Sequence, residues 1–316
     1  MKGLTDIAGV RVGHVSDFEA ITGCTAILFE QGAVAGVDLR GSATGTEETP
    51  TLDPGHITPQ IHGILLAGGS AFGLEAASGV RRYLERQKIG YDVGVTKVPI
   101  VPAAILFDLA IGKFDVRPTV AMGEAAAAAA TTDAVKEGCV GAGTGATVGK
   151  ILGMRQAMKS GLGSFTVSLP GGVMVSALAA VNAYGDVRDP ATYKIVAGAR
   201  KAADSHDFID TQEEMKRRPP AGFGVRNTTL VVVVTNARLT KVEATKLAQQ
   251  SSLGMARTIY PVSTMFDGDI VFAASSGDRT ADINTLGVAG AEAVAAAILR
   301  AVRLAKTMGG VPGLAS

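Results

Sequence analysis

The chain predicts an α/β fold of stacked layers, organised as a single domain over residues 1–316. Three observations carry that prediction. Strand-like runs rich in β-branched and aliphatic residues recur along the chain, set between glycine-marked turns and a few clear helical segments. The composition, 47% hydrophobic with 40 glycines and no tryptophan, supplies a full core built from Ala, Val, Leu and Ile. The stretch after Asn227 holds only two good strands and two helices, too few for a separate sheet protein, so it must share a core with what precedes it.

The predicted strands are residues 24–30, 33–39, 63–67, 165–169, 173–181, 230–235 and 270–274, punctuated by glycine pairs such as Gly171-Gly172 that suit tight turns. A first helix is expected over 71–88 behind Ser70 as N-cap, since Leu74, Ala77, Val80 and Leu84 fall at helical spacing. A second, alanine-rich, runs over 122–137 and stops at Gly138. Thr240-Lys241-Val242-Glu243 reads as a capping box opening a third helix to about Arg257. A last helix over 285–306 carries an Ala/Gly face fit for close packing on a sheet or a partner subunit. Residues 204–226, dense in charge and including Lys216-Arg217-Arg218-Pro219-Pro220, read as an exposed, mobile linker.

Net charge is +1, and no basic stripe with interleaved aromatics occurs, which argues against nucleic-acid binding. Cys24 and Cys139 lack CxxC spacing and read as buried small hydrophobes. Neither a signal segment nor an uncharged apolar run of membrane length is evident, so a cytoplasmic protein without a membrane partner is expected. His14, His56, His62 and His206 show no metal-ligand spacing, which leaves a zinc hydrolase or a Ser-His-Asp enzyme little support.

The feature richest in chemistry is Asn227-Thr228-Thr229 directly before Leu230-Val231-Val232-Val233-Val234. A threonine at the mouth of a buried strand is held rigidly, so its hydroxyl can be aimed. Were the Asn227–Thr228 bond cut, Thr228 would carry both a nucleophilic hydroxyl and an α-amine of pKa roughly 7.7–8.0, which can serve as its own base. The plain alternative is a turn leading into a core strand. Asp267 and Asp269, two apart in Thr264-Met265-Phe266-Asp267-Gly268-Asp269, would point to one side of an extended backbone and could hold an amine and orient a hydroxyl. The alternative there is a D-G hairpin with both aspartates in water.

Two glycine-rich stretches fail their motifs. Residues 141–150 miss G-x-x-x-x-G-K-S/T at Thr144 and Ile151, and miss G-x-G-x-x-G as well, although their amides could still bind an anion. Lys150 at the end of that stretch either lowers the pKa of a nearby hydroxyl or is simply solvated. Gly68-Gly69-Ser70-Ala71-Phe72-Gly73 misses G-x-S-x-G because Phe72 stands at the second glycine.

Taken together, Gly3-Leu4-Thr5-Asp6-Ile7-Ala8-Gly9-Val10-Arg11-Val12-Gly13-His14 and residues 65–73, 97–109, 141–150, 227–236 and 264–272 resemble the L-aminopeptidase/D-esterase family. That family includes β-peptidyl aminopeptidases and nylon-oligomer (6-aminohexanoate oligomer) hydrolases. The resemblance covers nearly the whole chain. It implies a layered αββα sandwich of the N-terminal-nucleophile type and autocleavage before the nucleophile. The two fragments, 1–227 and 228–316, would stay assembled, commonly as a tetramer of heterodimers. Carried onto this sequence, it makes Asn227–Thr228 the cleavage site and Thr228 the nucleophile, with Asp267 and Asp269 positioning it. Lys150 matches a lysine near the nucleophile and Asn182 an asparagine that helps bind the oxyanion. The D-G-D form with Asn-Thr at the cut is similar to the nylon-oligomer hydrolases. Phe107 departs from them, standing where they have a tyrosine.

What the resemblance implies is an amide hydrolase needing no cofactor or metal and acting on short aliphatic amides or oligomers. Three other readings stay open: an aminopeptidase or β-peptidyl aminopeptidase, an N-terminal-threonine acyltransferase, and an inactive ligand-binding protein.

Overall fold

Nine strands join in one hydrogen-bonded network among the residues that the computed structural model describes, 2–217 and 227–316. They are β1 (Val10–Asp17), β2 (Thr22–Leu39), β3 (Gly45–Glu47), β4 (Ile61–Ala67), β5 (Ala103–Ile105), β6 (Leu162–Leu169), β7 (Val173–Asn182), β8 (Thr228–Ala237) and β9 (Ile270–Arg279). Their order is β6-β7-β8-β9-β2-β4-β5-β3, with β1 beside β2. All pairs are antiparallel except β8–β9 and β4–β5.

The long β2 is what makes one network into two layers. Its first half pairs with β1 and β4, and its second half pairs with β9, with an irregular stretch near Gly32 between. Residues 24–30 and 33–39, expected as separate strands, are thus one strand crossing between sheets. Ile27, Phe29, Ile64 and Leu66 from one half meet Leu230, Val232, Val234, Ile270 and Phe272 from the other in a shared core. The alternate residues Val231, Val233, Val271 and Ala273 face the other way, against helices. A strand buried on both faces reads as a continuous apolar run, which is why Leu230–Val234 shows no polar alternation.

Helices α1 (Ala76–Arg86) and α2 (Val120–Ala128) cover the outer face of one layer through Ala77, Val80, Leu84, Ala126 and Ala127. The short α3 (Thr211–Arg217) lies apart from them in sequence, while α4 (Lys241–Ala256) and α5 (Ile283–Arg303) cover the other layer. The architecture is αββα. By length and composition α5 could cross a membrane, yet 67% of its most apolar window is buried in this core. Its small-residue face seats β6 so closely that a Cβ at Gly163 would lie 2.1 Å from the Ala297 carbonyl oxygen.

Several expected elements differ. The Thr240 capping box is present in both halves, but Ser70 does not cap. Gly69 occupies the N-cap position, and Ser70 sits in the first turn at φ +55, without the extended backbone an N-cap side chain needs. α2 ends at Ala128 rather than 137, because Thr131 exchanges backbone hydrogen bonds with Val12, and the Val135 amide donates to the Lys2 carbonyl. Those amides pair with the N-terminal segment instead of continuing a helix. The expected mobile linker is tied down over its first half. The buried Asp186 carboxylate accepts from the Ala199 amide (2.9 Å) and from the Thr211 amide (2.8 Å) and hydroxyl (2.7 Å) at the start of α3. Residues 218–226, including Arg218-Pro219-Pro220, lie outside the described residues.

Phe272 fills the layer between the sheets and is fully buried, so Phe272→Ala should destabilise by about 3–5 kcal/mol. Val288→Ala on the exposed side of α5 should stay within about 0.5 kcal/mol. Urea unfolding of both variants measures this.

Candidate active site

Thr228 begins β8 between two neighbours that fix it from either side. Antiparallel pairing with β7 sets Asn182 opposite Thr228. On the other side the parallel register of β8 and β9, whose first pair is Leu230 and Ile270, returns three residues earlier as an isolated bridge between Asn227 and Asp267. The Asn227 amide donates to the Phe266 carbonyl at 2.9 Å, and the Gly268 amide donates to the Asn227 carbonyl at 2.7 Å. Asp267-Gly268-Asp269 is therefore an extended run leading into β9, not a hairpin in water. The backbone amides of Gly41 and Ala43 hold its far side through the Asp269 and Asp267 carbonyls. Both aspartates are buried, at 1% and 2% exposure.

The peptide Asn227–Thr228 is thus enclosed. Its carbonyl accepts from Gly268 and also from the Thr228 hydroxyl, at 2.5 Å. Gly268 must lack a side chain here, since a Cβ would lie 2.8 Å from Thr228 Oγ1 and 2.7 Å from the Ala43 carbonyl oxygen.

Each carboxylate is satisfied by backbone amides. Asp267 accepts from Tyr184 (3.2 Å) and from the Thr264 amide (3.1 Å) and hydroxyl (2.5 Å). Asp269 accepts from the amides of Thr229 (2.6 Å) and Ser263 (2.9 Å). Burial pushes both carboxyls above the ordinary range, and Asp269, with Asp267 beside it, reaches about 7. Burial raises the Tyr184 hydroxyl to about 12, with Asp267 adding to the effect.

Lys150 is buried rather than solvated, and its ammonium donates to Asn182 twice, to the backbone oxygen (3.0 Å) and to Oδ1 (2.8 Å). Burial lowers it to about 7 against the pull of Asp267, Asp108 and Asp269. Because an ammonium only donates, this contact fixes the Asn182 amide with Oδ1 toward Lys150 and Nδ2 toward the Phe107 carbonyl, 2.9 Å away. So Asn227, Thr228, Asp267, Asp269, Lys150, Asn182 and the backbone of Phe107 meet in one place. Among the described residues the carboxylates hydrogen-bond to backbone and to the side chains of Thr264 and Ser263, not to the Thr228 hydroxyl.

Other residues had escaped notice in the sequence. Asp108 is buried, accepts from the Gly69 amide and the Thr22 hydroxyl (both 2.7 Å), and fixes the turn next to Phe107. Its signal was an acid inside the apolar run Ala103–Ala110. Thr264, Ser263 and Tyr184 act mainly through backbone groups, which leave no mark on composition. Most amides of the 141–150 stretch are already engaged by other groups: Gly141 with Ser16, Ala142 with Thr25, Thr147 with Asn182, Gly149 with Gly185 and Lys150 with Tyr184. Among the described residues no group of His, Cys, Asp and Glu could hold a metal.

The layered fold brings a hydroxyl, its adjoining carbonyl, two acids and a lysine together, and comparison with known proteins places the chain among hydrolases of amide bonds. The chain belongs to peptidase family S58, whose model matches residues 2–315. It is 37% identical to an uncharacterized aminopeptidase of Mycobacterium tuberculosis over 99% of this chain and 96% of that protein. It is 32% identical to the 6-aminohexanoate-oligomer endohydrolase of Paenarthrobacter ureafaciens, over 86% of this chain and 74% of that one. Its fold matches that of the L-aminopeptidase D-Ala-esterase/amidase of Ochrobactrum anthropi, a variant of the Ntn-hydrolase fold. The TM-score is 0.74 at 21% identity, covering 98% of this chain and 88% of that one. A β-aminopeptidase of Burkholderia gives 0.69 at 24% identity, covering 99% and 90%.

The raised Asp269 carboxyl sets a pH dependence of stability. In the fold it keeps its proton up to about pH 7, whereas at its ordinary value of 3.8 the unfolded chain has already lost it. The stabilisation is complete below about pH 4 and disappears as pH rises through 7. In the uncut Thr228→Ala chain, urea resistance should therefore fall between about pH 4 and 7 relative to Thr228→Ala/Asp269→Asn. Asp186, which burial holds at about 6, titrates in both proteins and cancels in the comparison. A difference that stays flat with pH would contradict the burial of an ionisable Asp269.

Proposed function

We propose that this chain is a self-processing amide hydrolase with Thr228 as its N-terminal nucleophile. The observation that carries the reading is the Asn227 carbonyl, buried and gripped by the Gly268 amide at 2.7 Å with the Thr228 hydroxyl 2.5 Å from its oxygen. In the cut, Thr228 Oγ adds to the Asn227 carbonyl carbon, and the negative charge on oxygen is met by the Gly268 N–H. The C–N bond breaks, the hydroxyl proton passes to the departing nitrogen, and an ester joins Asn227 to Thr228 Oγ. Water hydrolyses the ester, leaving a carboxylate on Asn227 and a free amine and hydroxyl on Thr228.

In turnover the Thr228 amine takes the hydroxyl proton as Oγ attacks the substrate amide. Asp267 and Asp269 hold that amine, and Lys150 offsets their charge. Asn182 has a second amide N–H to offer the substrate oxyanion. A preorganised donor of this kind lowers a barrier by about 3–4 kcal/mol. The amine product leaves, and water releases the acyl group from Thr228.

The substrates are short amides of compact aliphatic backbone. The D-G-D form beside Asn-Thr favours ω-amino-acid oligomers, and the similarity to an aminopeptidase over the whole chain keeps amino-acid amides as the second candidate. Phe107 lacks the hydroxyl of a tyrosine there, so its ring offers a substrate no hydrogen bond.

Freshly purified wild type should give denatured masses of about 23 and 9 kDa, in proportion to 227 and 89 of 316 residues and 32.1 kDa. Thr228→Ala should stay at 32.1 kDa and hydrolyse neither an L-amino-acid p-nitroanilide nor a 6-aminohexanoate oligomer. A Thr228→Ala chain that still splits would end the proposal.

A further inference from the structure

Lys159 is fully buried and plays no part in the chemistry above. Its ammonium donates to three carbonyl oxygens, those of Ser160 (2.7 Å), Ala146 (2.8 Å) and Gly143 (3.3 Å), and among the described residues it has no carboxylate at ion-pair distance. A buried charge without a counter-ion is costly, and a methionine of similar length would pack there without that penalty. The residue calls for a reason.

The Ala146–Thr147 peptide supplies one. Its carbonyl accepts from Lys159, while its N–H donates to Asn182 Oδ1 at 3.0 Å. The Thr147 hydroxyl (3.3 Å) and the Lys150 ammonium (2.8 Å) reach the same oxygen. A peptide whose carbonyl meets a cation is the better donor at its nitrogen, because hydrogen bonds in a chain polarise one another. A fully engaged Oδ1 in turn locks the amide orientation and strengthens Nδ2 as a donor. We propose that Lys159 is a positioning residue that holds and polarises the Asn182 amide through the Ala146–Thr147 peptide. The inference rests on Asn182 serving as an oxyanion donor in the proposed reaction.

The chain of contacts runs from Lys159 Nζ to the Ala146 oxygen, across the planar peptide to the Thr147 nitrogen, and on to the side chain opposite Thr228. Lys150 reaches Asn182 directly and is itself lowered to about 7 by burial, so near neutrality it is only partly charged. Burial lowers Lys159 as well, against the pull of Cys139 and Asp108. The two lysines hold one amide, Lys150 at Oδ1 directly and Lys159 through the Ala146–Thr147 peptide.

The test is a double-mutant cycle in the processed enzyme, using the faster of two probes, an L-amino-acid p-nitroanilide or a 6-aminohexanoate oligomer. Asn182→Ala should lower kcat by about 10²-fold. Lys159→Met should lower kcat roughly tenfold with KM within about threefold, since the loss falls on transition-state stabilisation. In the Asn182→Ala background the same Lys159→Met change should alter kcat by less than about twofold. An equal loss in both backgrounds would assign Lys159 a merely structural role and overturn the proposal, as would an unchanged kcat in Lys159→Met. A silent Asn182→Ala would instead remove the oxyanion assignment on which the proposal stands. If Lys159→Met does not fold, Lys159→Gln, which keeps one donor for the Ala146 carbonyl without the charge, gives the same cycle with a smaller loss.

Discussion

Everything at this site depends on one backbone fact: the parallel register of β8 and β9 recurs three residues before their first pair, in a bridge between Asn227 and Asp267. Without the Gly268–Asn227 hydrogen bond, Asp267-Gly268-Asp269 would be a surface turn and Asn227–Thr228 an ordinary entry to a strand. With it, a polar segment is pulled into the layered core. Burial inside two sheets and two helix layers then supplies the low dielectric that makes each polar contact matter.

That burial carries an electrostatic burden. Asp108, Asp267, Asp269 and Lys159 all act on Lys150, and Asp108 acts on Lys159 as well. Desolvation is the largest influence on every one of these groups, driving the acids up and the lysines down. Amide donors limit the rise of the acids, and carbonyl acceptors steady the lysines. Where titratable groups converge in this way, small changes of charge redistribute protons within the cluster, which is the condition acid–base chemistry needs.

Much of this was legible in the sequence, and the rest was not, for identifiable reasons. Strand positions followed from β-branched runs because both faces of β7, β8 and β9 are buried and the signal is undiluted. Asn227, Thr228, Asp267 and Asp269 could be picked out because they lie in polar islands against apolar runs, whereas Lys150 stood at the end of a glycine-rich stretch and Asn182 was marked by the family resemblance alone. The crossing of β2 between layers was hidden, since glycine at residue 32 reads as a turn whether the strand ends or merely bends. α2 could not be ended at Ala128, because what ends it is a pairing with Val12, more than a hundred residues earlier in the chain. Lys159 escaped for a related reason. Its partners are carbonyl oxygens, and a backbone acceptor looks the same in every sequence.

The proposed cut also changes the electrostatics that permit it. Before cleavage the cluster holds raised carboxyls and a depressed lysine, a set that lowers its charge by keeping protons on acids and taking them from the amine. Cleavage would place a new amine at Thr228 beside Asp267 and Asp269. An ammonium there favours ionised carboxylates by direct attraction, reversing part of the desolvation that raised them. The carboxylates would then hold the amine through charge-assisted hydrogen bonds, which are stronger than the neutral contacts they replace. The same two aspartates would therefore be less ionised while the chain is whole than once it is cut. In that sequence of states the acids acquire their positioning role from the product of the first reaction.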